Sequence, residues 1–193
     1  MGKTLIRVSG RLRVSAAHVR GVIVALMPGL FFRHVGWGTA FFGWPRLAYW
    51  GTDIQIGRRC MVGKGVFLSV GPRGTVSIGD SCSVNDYCYI TCLERIAIGK
   101  GTAIGEFVSI RDYDHEFDGH QSVRELGFRI SPITIGENVW IGRGVMICRG
   151  ISIGDGAVIG ANSVVTRDIP AGSVAVGAPA RVIRPSSLPE SSV

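Results

Sequence analysis

The chain has 193 residues, 46% hydrophobic and 8% aromatic, which excludes general disorder and allows a packed core. Its formal net charge is +7, and all of it sits on residues 1–52, which carry Lys3, Arg7, Arg11, Arg13, Arg20, Arg33 and Arg46 and no acid; residues 53–193 balance 14 bases against 14 acids. A nucleic-acid-binding domain would spread its basic patch over the fold, and the 28 glycines follow no Gly-X-Y triplet, so nucleic-acid binding is disfavoured and collagen is excluded.

The first segment, 1–52, is apolar as well as basic. Gly21 to Phe32 is its longest apolar stretch, broken by Pro28 and too short to span a bilayer. It has no small-residue cleavage site of the kind that ends a signal peptide. Trp37, Trp44, Tyr49 and Trp50 follow within it. The segment, in part helical, is expected to cap the open end of whatever follows, and its composition also suits an anionic membrane surface. The five cysteines (Cys60, Cys82, Cys88, Cys92 and Cys148) are odd in number and form no CxxC pair. They are expected to be reduced thiols in a cytoplasmic protein.

From Ile56 a six-residue period takes over. Ile56, Val62 and Leu68 lead the first set of hexads, Ile78, Val84 and Ile90 the second, and Ile98, Ile104 and Ile110 the third. From Ile135 the leaders run on in unbroken phase through Ile141, Ile147, Ile153, Ile159 and Val165. The second place is most often Gly in this last run, and the fifth is small or aliphatic throughout: Cys60, Cys82, Cys88, Thr102, Val139, Ala157 and Ser163 are examples. The third and fourth places look free. A period of six matches neither a helix nor a simple alternating strand. It matches short strands meeting at corners, three sides to an 18-residue coil, with coils stacked about 4.8 Å apart as parallel β-structure.

One insertion, 111–132, interrupts the period. It holds His115 and His120 with Asp112, Asp114, Glu116, Asp118 and Glu125. A long loop in a strict solenoid is where function is expected. A histidine, titrating near neutrality, suits proton removal from a hydroxyl, and a carboxylate can orient its ring. The Pro/Ser-rich end, 184–193, is expected to be disordered.

The repeat, the stretch VSIRDYDH followed by PITIGENVWIGRGVMI, and the ending VGAPARVI resemble the hexapeptide-repeat acyltransferases, in particular galactoside and maltose O-acetyltransferases. The resemblance covers roughly 53–183. It implies an all-β solenoid, a left-handed parallel β-helix with one inserted loop, working as a homotrimer with its sites between subunits. It implies acetyl-CoA as co-substrate, no metal and a saccharide acceptor, such as a sugar of a surface polysaccharide or its lipid-linked precursor. By the same resemblance His115 is the catalytic base, and Asn85 binds the acceptor near its reacting hydroxyl. Trp140 lines the cleft. Gly142, Gly160 and Ala161 face the thioester and pantetheine arm, and the Gly142 amide is the oxyanion donor. Arg167 and Arg181 lie near the CoA phosphates. Which of Asp112, Asp114 or Glu125 partners His115 stays open. Residues 1–50 differ from the sugar-contacting segment of galactoside acetyltransferases, so the sugar is not carried over.

Other readings are N-acetylation of a nucleotide-linked amino sugar, and a non-catalytic hexapeptide scaffold. A serine acetyltransferase would bring a large helical N-terminal domain that this chain lacks. A zinc enzyme on the same fold needs three ligating histidines, and the coil offers none outside the insertion.

Overall fold

The computed structural model describes residues 16–24, 32–48 and 53–186. Every hexad leader from Ile56 to Val165 points inward and is buried, as are the fifth-place residues from Cys60 to Ile169. Two inward side chains per six residues require the chain to turn a corner after each short strand. The result is a triangular parallel solenoid, with one continuous aliphatic core running along its axis.

Three sheets form its faces. The first face stacks His34–Val35, Ile54–Ile56, Thr75–Ile78, Arg95–Ile98, Ile133–Ile135 and Ser152–Ile153. The second stacks Ala40–Phe41, Met61–Val62, Ser83–Val84, Ala103–Ile104, Trp140–Ile141 and Val158–Ile159, and ends in the antiparallel hairpin Ser173–Gly177 with Ala180–Pro185. The third stacks Arg46–Ala48, Phe67–Val70, Tyr89–Cys92, Ser109–Arg111, Met146–Ile147 and Val164–Val165. Register pairs lie 18 residues apart in the last coils (Thr134↔Ser152, Trp140↔Val158), the ideal coil length. The 37-residue step from Ala103 to Trp140 contains the insertion.

Three features differ from the sequence reading. The solenoid begins earlier than residue 53: His34–Val35, Ala40–Phe41 and Arg46–Ala48 already pair in parallel with the next coil. Val35, Phe41 and Leu47 keep the six-residue spacing of the leaders and pair with Ile56, Val62 and Leu68, but the aromatic and glycine residues between them make this coil look unlike the later hexads. Secondly, the terminal hairpin reaches Pro185, so the ordered part extends past 183; residues 187–193 of the expected disordered tail lie outside the described residues. Thirdly, the fourth hexad place is not free. Arg59, Ser81, Tyr87, Phe107, Asn138 and Asn162 all have φ between 54° and 59°, and Gly65, Gly101, Gly144, Gly150 and Gly156 share that left-handed region. The corner itself demands it, so Gly and Asn are the low-strain choices there.

Residues 16–24 form a helix laid over the first coil. Ala17, Gly21 and Val24 are its buried side, and a Cβ on Gly21 would collide with the Thr39 carbonyl. With Phe32 and Phe41 they pack over the first-coil end of the core; residues 1–15, 25–31 and 49–52 of the expected cap, Tyr49 and Trp50 among them, lie outside the described residues. All five cysteines are free. Cys60, Cys82 and Cys88 each donate to a main-chain carbonyl of the next coil at 3.0–3.1 Å, as structural thiols do. Burial pushes the Cys88 thiol up to about 11 and, with help from the Asp112 charge, Cys92 up to about 12.

Candidate active site

The insertion leaves the coil at the corner between the third and first faces. It folds as an antiparallel hairpin, Tyr113–His115 against Phe128–Ile130, with a short helix Val123–Leu126 at its far end. His115 is the last residue of the outgoing strand, opposite Phe128, and its ring rests against the Phe128 ring at 4.5 Å. The Tyr113 ring meets Phe128 edge-on at 5.1 Å, so one aromatic side chain fixes both. His115 is exposed, with its imidazole presented from a β-hairpin rather than a floppy loop.

The three candidate carboxylates separate cleanly. Asp112 is fully buried, and its carboxylate accepts the N–H groups of Leu93, Glu94 and Arg95 at 2.8, 2.8 and 2.9 Å, with the Cys92 thiol at 3.2 Å. It ties the foot of the hairpin to the corner of the preceding coil and is not a partner for His115. Asp114 points to Arg149, with Oδ2 3.2 Å from Nε, an ion pair without aligned hydrogen-bond geometry. Glu125 is exposed on the distal short helix.

Arg149 was not foreseen. It lies in the third–first corner of the next coil and, with Asp114, Ser131, Cys148, Thr166 and Arg167, lines an open polar groove of about 570 Å³ beside the hairpin. Its only sequence signal is a bulky charge in the corner of ICRG, where a hexad tolerates anything. Arg167 is thus on the His115 side of the molecule.

The remaining candidates occupy the other end of the third face. Asn85, Gly142 and Gly160 are stacked with Gly63 and Gly105 along the second–third corner, each continuing the second-face ladder: Asn85 N–H donates to the Ile104 carbonyl at 3.0 Å and Gly160 N–H to that of Ala175 at 2.9 Å. Ala161 follows on the same corner. Trp140 stands on the outer side of the second face and is 61% exposed. Arg181 lies on the terminal hairpin opposite Val176, and a Cβ on Gly160 would come within 2.7 Å of Val176 Cγ1. One chain therefore groups Asn85, Trp140, Gly142, Gly160, Ala161 and Arg181 on one corner and its flank, and His115, Arg149 and Arg167 on another. The structure does not bring these two groups together within a protomer.

The oxyanion assignment needs correction. The Gly142 N–H donates to the Ile159 carbonyl at 2.8 Å, a ladder bond between coils, so it is not free to receive charge from a substrate. The smallness of Gly142 has a packing cause instead: a Cβ there would lie 2.7 Å from the Ala161 nitrogen and 2.9 Å from the Ile159 oxygen. Gly142→Ala is expected to lower stability by about 1–3 kcal/mol, read as a lower urea midpoint at unchanged m-value. Among the described residues no group of three His, Cys, Asp or Glu side chains could hold a metal ion.

A family model described as bacterial transferase hexapeptide (six repeats) matches residues 132–167. The putative lipopolysaccharide biosynthesis O-acetyl transferase WbbJ of Escherichia coli is 36% identical over 142 residues, covering 68% of this chain and 71% of that protein. Galactoside O-acetyltransferase of Escherichia coli is 40% identical over 130 residues, covering 67% and 62%. The chain spans from 50% to 71% of the first curated relatives it matches. Among solved structures, AntD, an N-acyltransferase from Bacillus cereus, superposes with a TM-score of 0.72 at 21% identity over 81% of this chain and 84% of that one, a likeness of fold alone. With the repeat, the hairpin insertion and the WbbJ match on one chain, this protein belongs to the hexapeptide-repeat acetyltransferase family and has its left-handed parallel β-helix.

Proposed function

We propose that this protein moves an acetyl group from acetyl-CoA to a hydroxyl of a saccharide, in a site completed between two copies of the chain. The acceptor is a sugar of a surface polysaccharide or of its lipid-linked precursor. The observation that carries the reading is the placement of an exposed, hairpin-held His115 at one end of the third face, with Asn85 and the small-residue corner at the other. A second copy seated on that face supplies what one copy lacks. The outer faces favour such an assembly. The second and third expose Met61, Trp140, Tyr89 and Met146, whereas the first offers Gln55, Ser77, Ala97, Thr134 and Ser152. A homotrimer about a threefold axis parallel to the coil axes buries the apolar faces and leaves the polar one wet. The relatives named for lipopolysaccharide biosynthesis and galactoside acetylation support a saccharide acceptor.

In this mechanism Asn85 of one copy holds the acceptor, and the His115 imidazole of the other removes the proton from its hydroxyl. The oxygen attacks the acetyl carbonyl carbon. The tetrahedral intermediate collapses with cleavage of the C–S bond, and the imidazolium returns its proton to the departing CoA thiolate. Arg181 and Arg167 carry the positive charge that the CoA phosphates require, one near each half of the cleft. The test is mass spectrometry of surface glycans and soluble sugar nucleotides in cells with and without this protein. Loss of an alkali-labile acetyl ester from a surface glycan is expected. An alkali-stable acetamide lost from an amino-sugar nucleotide would contradict the hydroxyl acceptor.

A further inference from the structure

Helix 16–24 is apolar on both sides. Its inner side packs over the core, and Arg20 Nε anchors it by donating to the Phe41 carbonyl at 2.7 Å. Its outer side leaves Val19, Val22 and Ile23 in solvent. Beside it, in the corners of the first coil, Trp37 is 84% and Trp44 60% exposed. Between helix and coil lies an open cavity of about 490 Å³ lined by Gly21, Val22, Gly36, Trp37, Thr39 and Arg59. None of these outer side chains is needed to cover the solenoid, and a cluster of this kind marks a contact surface. Charge identifies the partner. Residues 1–52 hold seven basic residues and no acid. Arg33 and Arg58 are paired with Asp53 and Asp80, whereas Arg46 lies over the Phe67 ring and Arg59 is exposed at the cavity. Aliphatic and tryptophan side chains at the end of the solenoid, with the Arg59 guanidinium exposed beside them and a net-basic first segment, match a bilayer interface: acyl boundary below, phosphate headgroups at the rim.

We infer that the N-terminal end of the solenoid docks on an anionic phospholipid bilayer. No helix among the described residues is long and apolar enough to cross a membrane, and the contact inferred here is a peripheral one. In a threefold assembly with parallel coil axes, three such ends face one plane and bind together. This extends the proposed function by placing the enzyme beside lipid-linked acceptors, but binding is read without any substrate.

The full chain is mixed with phosphatidylcholine vesicles with or without phosphatidylglycerol. Co-sedimentation with the anionic vesicles is expected, weakened by salt and by removal of phosphatidylglycerol. Brominated acyl chains are expected to quench tryptophan fluorescence. A Val22→Glu/Trp37→Glu variant, both positions exposed, is expected to melt and elute as the parent does, acetylate a soluble acceptor at the parent rate, and lose on the order of tenfold in vesicle partitioning. Parent-like partitioning of the variant, or absence of quenching in the parent, overturns the inference. So does a smaller assembly size for the variant, which would assign the patch to a contact between copies. The soluble-acceptor rate keeps failure of docking distinct from failure of the acetyl-transfer reading.

Discussion

His115→Ala is expected to reduce acetyl transfer on the order of 10²–10⁴-fold, with the melting temperature unchanged. The structural side follows from position: His115 is exposed at the end of a hairpin strand and contributes no core contact beyond the Phe128 ring. The kinetic side follows from chemistry, since a hydroxyl must lose its proton as it attacks a thioester, and the hairpin presents no other histidine-like base at that place. The loss should appear in kcat with the KM for acetyl-CoA nearly unchanged, because the cations assigned to the phosphates, Arg167 and Arg181, are untouched. A variant retaining near-parental rates would remove the imidazole from the mechanism.

Asp112→Ala is expected to cost about 2–4 kcal/mol of stability, seen as a lower urea midpoint, because it strips the acceptor from three partly buried N–H groups at once. Those donors, Leu93, Glu94 and Arg95, lie at the corner where the preceding coil turns, and the Asp112 main chain receives the Ser131 N–H at 2.8 Å where the insertion returns. The same residue thus closes a corner and clamps both feet of the hairpin. Loss of activity should accompany loss of stability here, unlike at His115. A variant as stable as the parent would contradict the clamp.

The two residues show what was legible in the sequence and what was not. The inward places were readable because a buried aliphatic every six residues leaves a one-dimensional signature, and each leader from Ile56 to Val165 is in the core. The left-handed fourth place was missed because Tyr87 and Phe107 stand where glycine would be expected, and nothing local announces the backbone beneath them. The rings pay back part of that strain by stacking on each other at 5.4 Å, with the Arg143 guanidinium over Phe107 at 5.5 Å. Asp112 looked like any acid in an acidic loop, and only the three-dimensional return of the chain reveals its amide partners. Arg149 likewise becomes visible only when successive coils stack its corner against the hairpin. The Gly142 amide failed as an oxyanion donor for a related reason: its pairing with Ile159 belongs to the coil eighteen residues on, beyond any local motif. The insertion itself was legible, because it breaks a strict period, but it carries both His115 and His120, and only the family resemblance singles out His115.

The division of the site between copies is tested most directly by mixing two inactive proteins. His115→Ala and Asn85→Ala are purified separately, then dissociated and reassembled together. Acetyl transfer is expected to reappear, with about a quarter of the sites of a random mixture drawing His115 from one parent and Asn85 from the other. A mixture as inactive as its components, in assemblies of parental size, would place both residues in the same protomer's site and contradict the shared cleft.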